Sequence, residues 1–470
     1  MQLTSYPIGT ETKRIQMRFT KRAKCFAAIL GLAVSVSASR AENWTQFRGS
    51  EQNGVATTEC PVQWSDSSNV RWKIELAGEG WSAPIVWDQS VFVTAAVPVE
   101  ETLKDAARPE EYSGGGGRRR DDLTETVYRY EVICLDIMSG KERWRKVVRE
   151  GKPPIPRHST NTYATETPIT DGKHVYAYFG MSGLYCLDMD GNLVWEKDLG
   201  VYPMRAGWGT SSSPVLFNDK LFLQIDNEAE SFIAAVAAKT GEVIWKVARP
   251  EKSQYSSPYI WQNSQRNEVI AGGMVYRSYD PETGKLLWEL DMAKGRSSAT
   301  PVSIGDRLYV GTELRTRGDE DDGGGFLFSI KPGGAGDITP ADDARSSEFV
   351  EWKIDRADIQ MASPTVCKGH LYFLERQSGN LHCINAETGK TAYRKRITGA
   401  RAFWASPWSA GDKVYCIDSS GTTFVIAGGP EYKLLSSNPL DEQIWASAAV
   451  ADGAAFLRTV TKLYCIAEGE

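Results

Sequence analysis

The chain has 470 residues, 41% of them hydrophobic, 10% aromatic and 24% charged, and carries a net charge of −6. That composition excludes a disordered chain and a polytopic membrane protein, and it supplies ample material for a buried core. The basic run Arg118–Arg120 abuts Asp121 and Asp122, so no basic face is available to neutralise phosphates and nucleic acid is excluded as a partner.

Residues 1–41 come first. Six basic residues between Lys13 and Lys24 precede the apolar run Cys25 to Val36 and the small-residue stretch Ser37 to Ala41. This pattern reads as a secretory signal peptide, with Met17 as an alternative start, and predicts a periplasmic or secreted protein. The apolar run is too short to cross a bilayer, and no other stretch reaches the roughly 18 apolar residues a spanning helix needs, so no transmembrane segment is expected. Loss of residues 1–41, with their seven basic residues and Glu11, would move the net charge from −6 to −12. Cys25 opens the apolar run rather than following it, which does not suit a lipid-attachment cysteine.

Residues 42–69 form a lead-in segment, and a repeat begins at residue 70. Openings rich in Ser and Thr end at Pro84, Pro168, Pro214, Pro258, Pro301, Pro364 and Pro407, with Ala448 in the proline slot of an eighth. Most steps fall between 41 and 46 residues, and the two longer ones contain insertions. A period near 40 to 45 with several short strands per unit is the signature of a β-propeller. Within the units, Asp219 to Ile225 and Asp306 to Val310 alternate as half-buried strands would. Glycine turns then lead to Trp144, Trp195, Trp245 and Trp288, and to Tyr393 in the sixth copy. These aromatics are expected to pack one blade against the next.

The last unit stops after Ile466 without its outer strand, and Asn69 to Leu76, with Trp72, looks like the missing piece. The prediction is an all-β fold: a single eight-bladed β-propeller of four-stranded antiparallel blades over residues 70–467, its ring closed by the N-terminal strand. Insertions 97–126, 149–163 and 312–325 fall on one predicted face, and 331–346 on the other. Residues 113–122 form a low-complexity linker.

Seven cysteines follow the signal segment, an odd number for a disulfide framework. Cys134, Cys186, Cys383 and Cys465 sit at the same place in separate repeats, so they read as small buried hydrophobes. No Cys-x-x-Cys or metal-spaced His pair supports zinc or covalent haem. The acidic stretch Asp319 to Asp322 lacks the alternating spacing of a calcium loop and reads as a solvated turn.

These segments resemble the pyrroloquinoline-quinone-type β-propeller repeat proteins. The Thr-Gly-Lys-x-x-Trp units carry the likeness, and Trp44-Thr-Gln-Phe-Arg-Gly49 with Asn53-Gly-Val55 is similar to an exported bacterial branch. The resemblance covers roughly residues 42–467. It implies the fold, which hosts both quinoprotein dehydrogenases and a scaffold lipoprotein of outer-membrane assembly. The adjacent cysteine pair and the calcium ligands of many such dehydrogenases are not matched here, nor is the lipoprotein's attachment cysteine.

Aromatics and arginines gather just before the openings: Trp81, Arg205, Trp208, Tyr255, Arg296, Arg401, Trp404 and Trp445. Trp and Arg are the residues expected at an anchor for a protein partner or for a small anionic, planar ligand. His158, in the insertion ahead of the second blade, is the candidate base among the histidines. No nucleophile triad, phosphate-cradling loop or paired carboxylates accompany them, so no catalytic machinery and no cofactor are expected from the residues themselves. The sequence thus predicts an exported, monomeric binding scaffold that engages its partner on the insertion-rich face. A dehydrogenase using pyrroloquinoline quinone and calcium is the alternative that the resemblance implies, with Arg205, Arg296 and Arg401 pairing the quinone's carboxylates, and a polysaccharide-binding module is a third.

Overall fold

Each repeat folds as a meander of four antiparallel strands, the first lining the central channel and the fourth facing solvent. A computed structural model describes residues 42–100, 123–317, 320–341 and 344–468, all within the unit Ala41–Glu470. Blade 1 comprises Ile85–Trp87, Ser90–Pro98, Tyr128–Asp136 and Glu142–Gly151. Blade 2 comprises Ile169–Thr170, His174–Tyr178, Leu184–Asp188 and Leu193–Lys197. Blade 3 comprises Val215–Phe217, Lys220–Ile225, Phe232–Ala237 and Val243–Ala248. Blade 4 comprises Tyr259–Gln262, Asn267–Ala271, Val275–Tyr279 and Leu286–Asp291. Blade 5 comprises Val302–Ile304, Arg307–Gly311, Leu327–Ile330 and Val350–Ile354. Blade 6 comprises Thr365–Cys367, His370–Leu374, Asn380–Asn385 and Thr391–Arg396. Blade 7 comprises Trp408–Ala410, Lys413–Ile417, Thr422–Ala427 and Leu434–Pro439. Blade 8 takes Ala449–Ala451, Ala454–Arg458 and Lys462–Ile466 from the end of the chain and Val70–Glu75 from its beginning. Val70–Glu75 pairs antiparallel with Lys462–Ile466, so the ring is closed by the N-terminal strand.

The second and third strands are buried on both faces, as in Lys220–Ile225 and Phe232–Ala237, rather than on alternate faces. Each blade is sandwiched between two others, so both faces of its middle strands meet apolar side chains. Only the outer strand alternates, as Val243–Ala248 does.

In every blade the pairing of third and fourth strands shifts register, and where a glycine turn joins the two strands the shift lies close to it. Such a bulge re-aims the side chain beside it, and in five blades that side chain is a tryptophan laid on the following blade. Trp72, Trp144, Trp195, Trp245 and Trp352 donate Nε1–H to the carbonyls of Ile137, Met189, Ala238, Pro281 and Ala386, at 2.8 to 3.2 Å. The insertion 331–346 alters the pattern at blade 4. Its Gly336–Asp337 pairs in parallel with Leu286–Asp291, and Trp288 beneath it is fully buried, bonded to Glu268 Oε2 at 2.6 Å.

Between the second and third strands of blade 5, Leu314–Arg317 pairs with Glu320–Gly324. Glu320 to Asp322, expected in a solvated turn, therefore lie in a strand, because the segment is long enough to fold back on itself. Residues 101–122, with most of the first insertion and the low-complexity stretch, and residues 318–319 lie outside the described residues.

The lead-in does more than connect. Residues 44–56 cross the channel and bond to the innermost strands of successive blades: Trp44 N to Val86 O, Thr45 O from Thr170 N, Gln46 Oε1 from Leu216 N and Gln52 Oε1 from Ile260 N. Arg48 then bonds Pro364 O, and Val55–Ala56 runs parallel to Trp408–Ala410. Backbone groups that would otherwise line an open pore are thereby satisfied. Arg48 is fully buried, and desolvation brings its pKa down to about 9. The seven cysteines among the described residues are buried and free, and Cys134, Cys186, Cys383 and Cys465 are the small buried hydrophobes expected from their place in the repeats.

Candidate functional site

The openings of all eight repeats converge on one funnel of about 470 Å³, with Phe47 of the lead-in among its lining residues. Two rings of side chains build its wall. Immediately before the proline slot stand Thr167, Ser213, Ser257, Thr300, Ser363, Ser406 and Ser447. Their hydroxyls knit the blades together. Oγ1 of Thr167 accepts from Ala83 N at 3.1 Å, Oγ of Ser213 from Thr167 N at 3.0 Å and Oγ of Ser257 from Ser213 N at 2.9 Å. The same bond links Thr300 N to Ser363 at 2.9 Å, Ser363 N to Ser406 at 3.0 Å and Ser406 N to Ser447 at 2.9 Å. Ala83 lacks the hydroxyl, and the seam between blades 8 and 1 is tied by Arg458 Nη1 instead, at 2.7 Å from both Ser82 Oγ and Thr94 O.

Two residues further from the proline slot lies a second ring, and here the blades differ. Trp404, Trp445 and Trp81, from the openings of blades 7, 8 and 1, make a continuous aromatic arc. Trp81 stacks on Trp445 at 5.8 Å and Trp404 tilts against it at 4.9 Å. The remaining positions are Thr165, Ser211, Tyr255, Ser298 and Met361. Trp208 stands near Tyr255, with ring centres 6.3 Å apart.

Charge is confined to one sector. Arg296 Nε and Glu313 Oε1 lie 2.6 Å apart, and the Arg296 guanidinium also covers the Trp208 ring at 5.5 Å. Arg376, half-buried in the turn between the second and third strands of blade 6, stacks over Trp404 at 4.8 Å. Burial lowers its pKa, and its Nε has no hydrogen-bond partner among the described residues. Tyr255 Oη and Trp445 Nε1 are likewise buried without a partner among the described residues. The wall therefore offers more donors than acceptors.

Of the nine residues singled out from sequence, Trp81, His158, Trp208, Tyr255, Arg296, Trp404 and Trp445 line this funnel. Arg205 and Arg401 do not. Arg205 is exposed in a single 3-10 turn, 5.8 Å from the centre of the Trp208 ring, and Arg401 is exposed with its amide held by Asp418 at 2.7 Å. His158 Nδ1 lies 3.2 Å from the Thr160 amide and 2.8 Å from Thr160 Oγ1, both within its own loop. Burial, then Arg157, lowers its pKa. Arg376, Glu313 and Phe47 escaped the sequence reading. Arg376 and Glu313 occupy equivalent turns after the second strand, and that position was the one available signal.

Behind the wall, Glu166 is fully buried and its pKa is pushed up to about 7 by desolvation. Among the described residues no group of three or more His, Cys, Asp or Glu could hold a metal, and no helix is long and apolar enough to cross a membrane.

Residues 114–278 match the sequence family described as outer membrane protein assembly factor BamB. No curated protein matches the chain. Among solved structures, BamB from Moraxella catarrhalis is similar with a TM-score of 0.50 and 14% identity, over 71% of this chain and 88% of that one. Quinohemoprotein alcohol dehydrogenase from Comamonas testosteroni is similar with a TM-score of 0.59 and 11% identity, over 93% and 82%. The quinohemoprotein alcohol dehydrogenase ADHIIG of Pseudomonas putida HK5 gives 0.59 and 11%, over 91% and 81%. At these identities the likeness is one of fold, and that fold is the PQQ-like β-propeller.

Proposed function

We propose that this PQQ-like propeller is an exported binding protein that seats a small ligand in its central funnel. The observation that carries this reading is the funnel itself. Its volume of about 470 Å³ falls within the range of small-molecule sites, and its wall combines an indole arc with a few placed polar groups. The lead-in supports it as well, because a channel crossed by residues 44–56 is a blind cup rather than a pore. The test is tryptophan fluorescence of the purified protein during titration with soluble oligosaccharides and with pyrroloquinoline quinone plus calcium. Saturable quenching or enhancement that disappears in Trp404→Ala supports the reading. A flat response to every compound, from protein shown to be folded, would overturn it and leave a scaffold that binds proteins through its loops.

Quinone-dependent oxidation is the second reading, favoured by the likeness to quinohemoprotein alcohol dehydrogenases. The donor set fits it poorly. Glu313 is the single carboxylate among the lining residues and already faces Arg296 at 2.6 Å, which leaves a calcium ion beside the quinone short of oxygen ligands. Turnover of an alcohol or sugar with a dye acceptor would restore this reading.

A further inference from the structure

We infer that the funnel is built for an acidic sugar, a uronic-acid unit at the end of a glycan, with Arg376 as the group that binds its carboxylate. This deepens the ligand-binding reading of the funnel and rests on it. Three features of the wall act together. The first is the donor excess. Arg376 Nε, Trp445 Nε1 and Tyr255 Oη are buried at the wall without partners among the described residues, while Glu313, the sole carboxylate lining the funnel, faces Arg296. Buried donors left unpaired are costly, so the matching ligand is rich in acceptors. Carboxylate is the group that satisfies a guanidinium most fully, through two parallel bonds.

The second feature is the arc of Trp404, Trp445 and Trp81, which gives a ring with an apolar face somewhere to stack. Arg376 lies on Trp404 at 4.8 Å, so a ring resting on the arc brings a substituent at its edge within reach of the guanidinium. The third feature separates a sugar acid from a flat aromatic acid. At the same ring position as the indoles, Thr165, Ser211 and Ser298 carry hydroxyls. These can donate and accept in turn, which suits the hydroxyl-bearing edge of a sugar and has no counterpart on an aromatic acid.

The experiment is isothermal titration of the purified protein with glucuronic-, galacturonic- and mannuronic-acid disaccharides. Each is paired with the neutral disaccharide of the same linkage, and pyrroloquinoline quinone serves as the flat aromatic acid. At least one acid disaccharide is expected to bind about tenfold to a hundredfold more tightly than its neutral partner, the range that a charged hydrogen-bonded pair contributes. In Arg376→Gln that ratio should collapse towards one, and in Arg376→Lys it should recover in part, with thermal melting confirming that both variants fold. Equal binding of acid and neutral sugars, or a ratio unchanged in Arg376→Gln, would overturn the acid assignment while leaving a ligand-binding funnel. Tighter binding of the quinone than of every disaccharide would overturn it in favour of a flat aromatic acid. Binding of none of these compounds, with no fluorescence response to the wider oligosaccharide set, would remove the ligand-binding reading as well.

Discussion

The indole of Trp195 lies flat on Gly241 of the next blade: a Cβ on Gly241 would stand 2.7 Å from the ring, and the indole Nε1 donates to Ala238 O at 3.0 Å. The same contact joins Trp72 to Gly140, Trp144 to Gly191, Trp245 to Gly284 and Trp352 to Gly389. The glycine serves two purposes in one residue, since it turns the chain at φ +73° and leaves room for the ring. Gly241→Ala therefore meets both a backbone penalty and a clash, and is expected to destabilise the protein by about 2–4 kcal/mol in urea unfolding. A loss below 1 kcal/mol would show that the docked ring yields at little cost.

The hydroxyl ring gives a second expectation. Ser406→Ala removes the acceptor of the Ser363 amide, deep in the seam between blades 6 and 7. A buried N–H left unpaired costs about 1–3 kcal/mol, so the urea midpoint should fall without a change in secondary structure by circular dichroism. An unchanged midpoint would mean that water replaces the hydroxyl freely.

Glu166 predicts a pH dependence. Its folded pKa of about 7 lies above the ordinary carboxyl value because burial disfavours the anion. Between the two values the folded state holds a proton that the unfolded state has lost, so stability falls as pH rises from about 4.5 to about 7 and then levels off. Glu166→Gln should match the parent below pH 4.5 and exceed it by up to about 3 kcal/mol above pH 7. Parallel pH profiles of the two proteins would refute this assignment.

The thiols give a fourth. Cys60, Cys134, Cys186, Cys367, Cys383, Cys416 and Cys465 are free and buried, and burial pushes Cys60, for example, up to about 12. A thiol reagent should therefore find none of these seven in the folded protein and all of them in denaturant. Reductant should leave the melting temperature unchanged, and a drop of several degrees would reveal a disulfide.

What was legible in the sequence was local chemistry repeated from unit to unit. Proline slots, glycine turns and the aromatic after most of the turns act within a few residues of one another, so their spacing carries the blade count without any knowledge of distant contacts. The closing strand was legible for the same reason, since Trp72 sits where most outer strands place an indole. Half of the funnel's second ring followed too, because Trp81, Tyr255, Trp404 and Trp445 keep a constant distance from the proline slot.

The rest depends on paths through space. Arg205, Arg296 and Arg401 look alike in sequence, yet only Arg296 lines the funnel, because a 3-10 turn carries Arg205 outward and the Arg401 backbone is held by Asp418. Arg376 reaches the wall from a turn that carries no motif. The lead-in is the clearest case. Residues 44–56 show no strand pattern, and their partners lie in blades up to some 350 residues away, such as Ser409 beside Val55. Sequence determined the blades, because strand and turn preferences are local. Tertiary structure decided the channel's closed floor and the charge of its mouth, because both arise where side chains from every repeat meet.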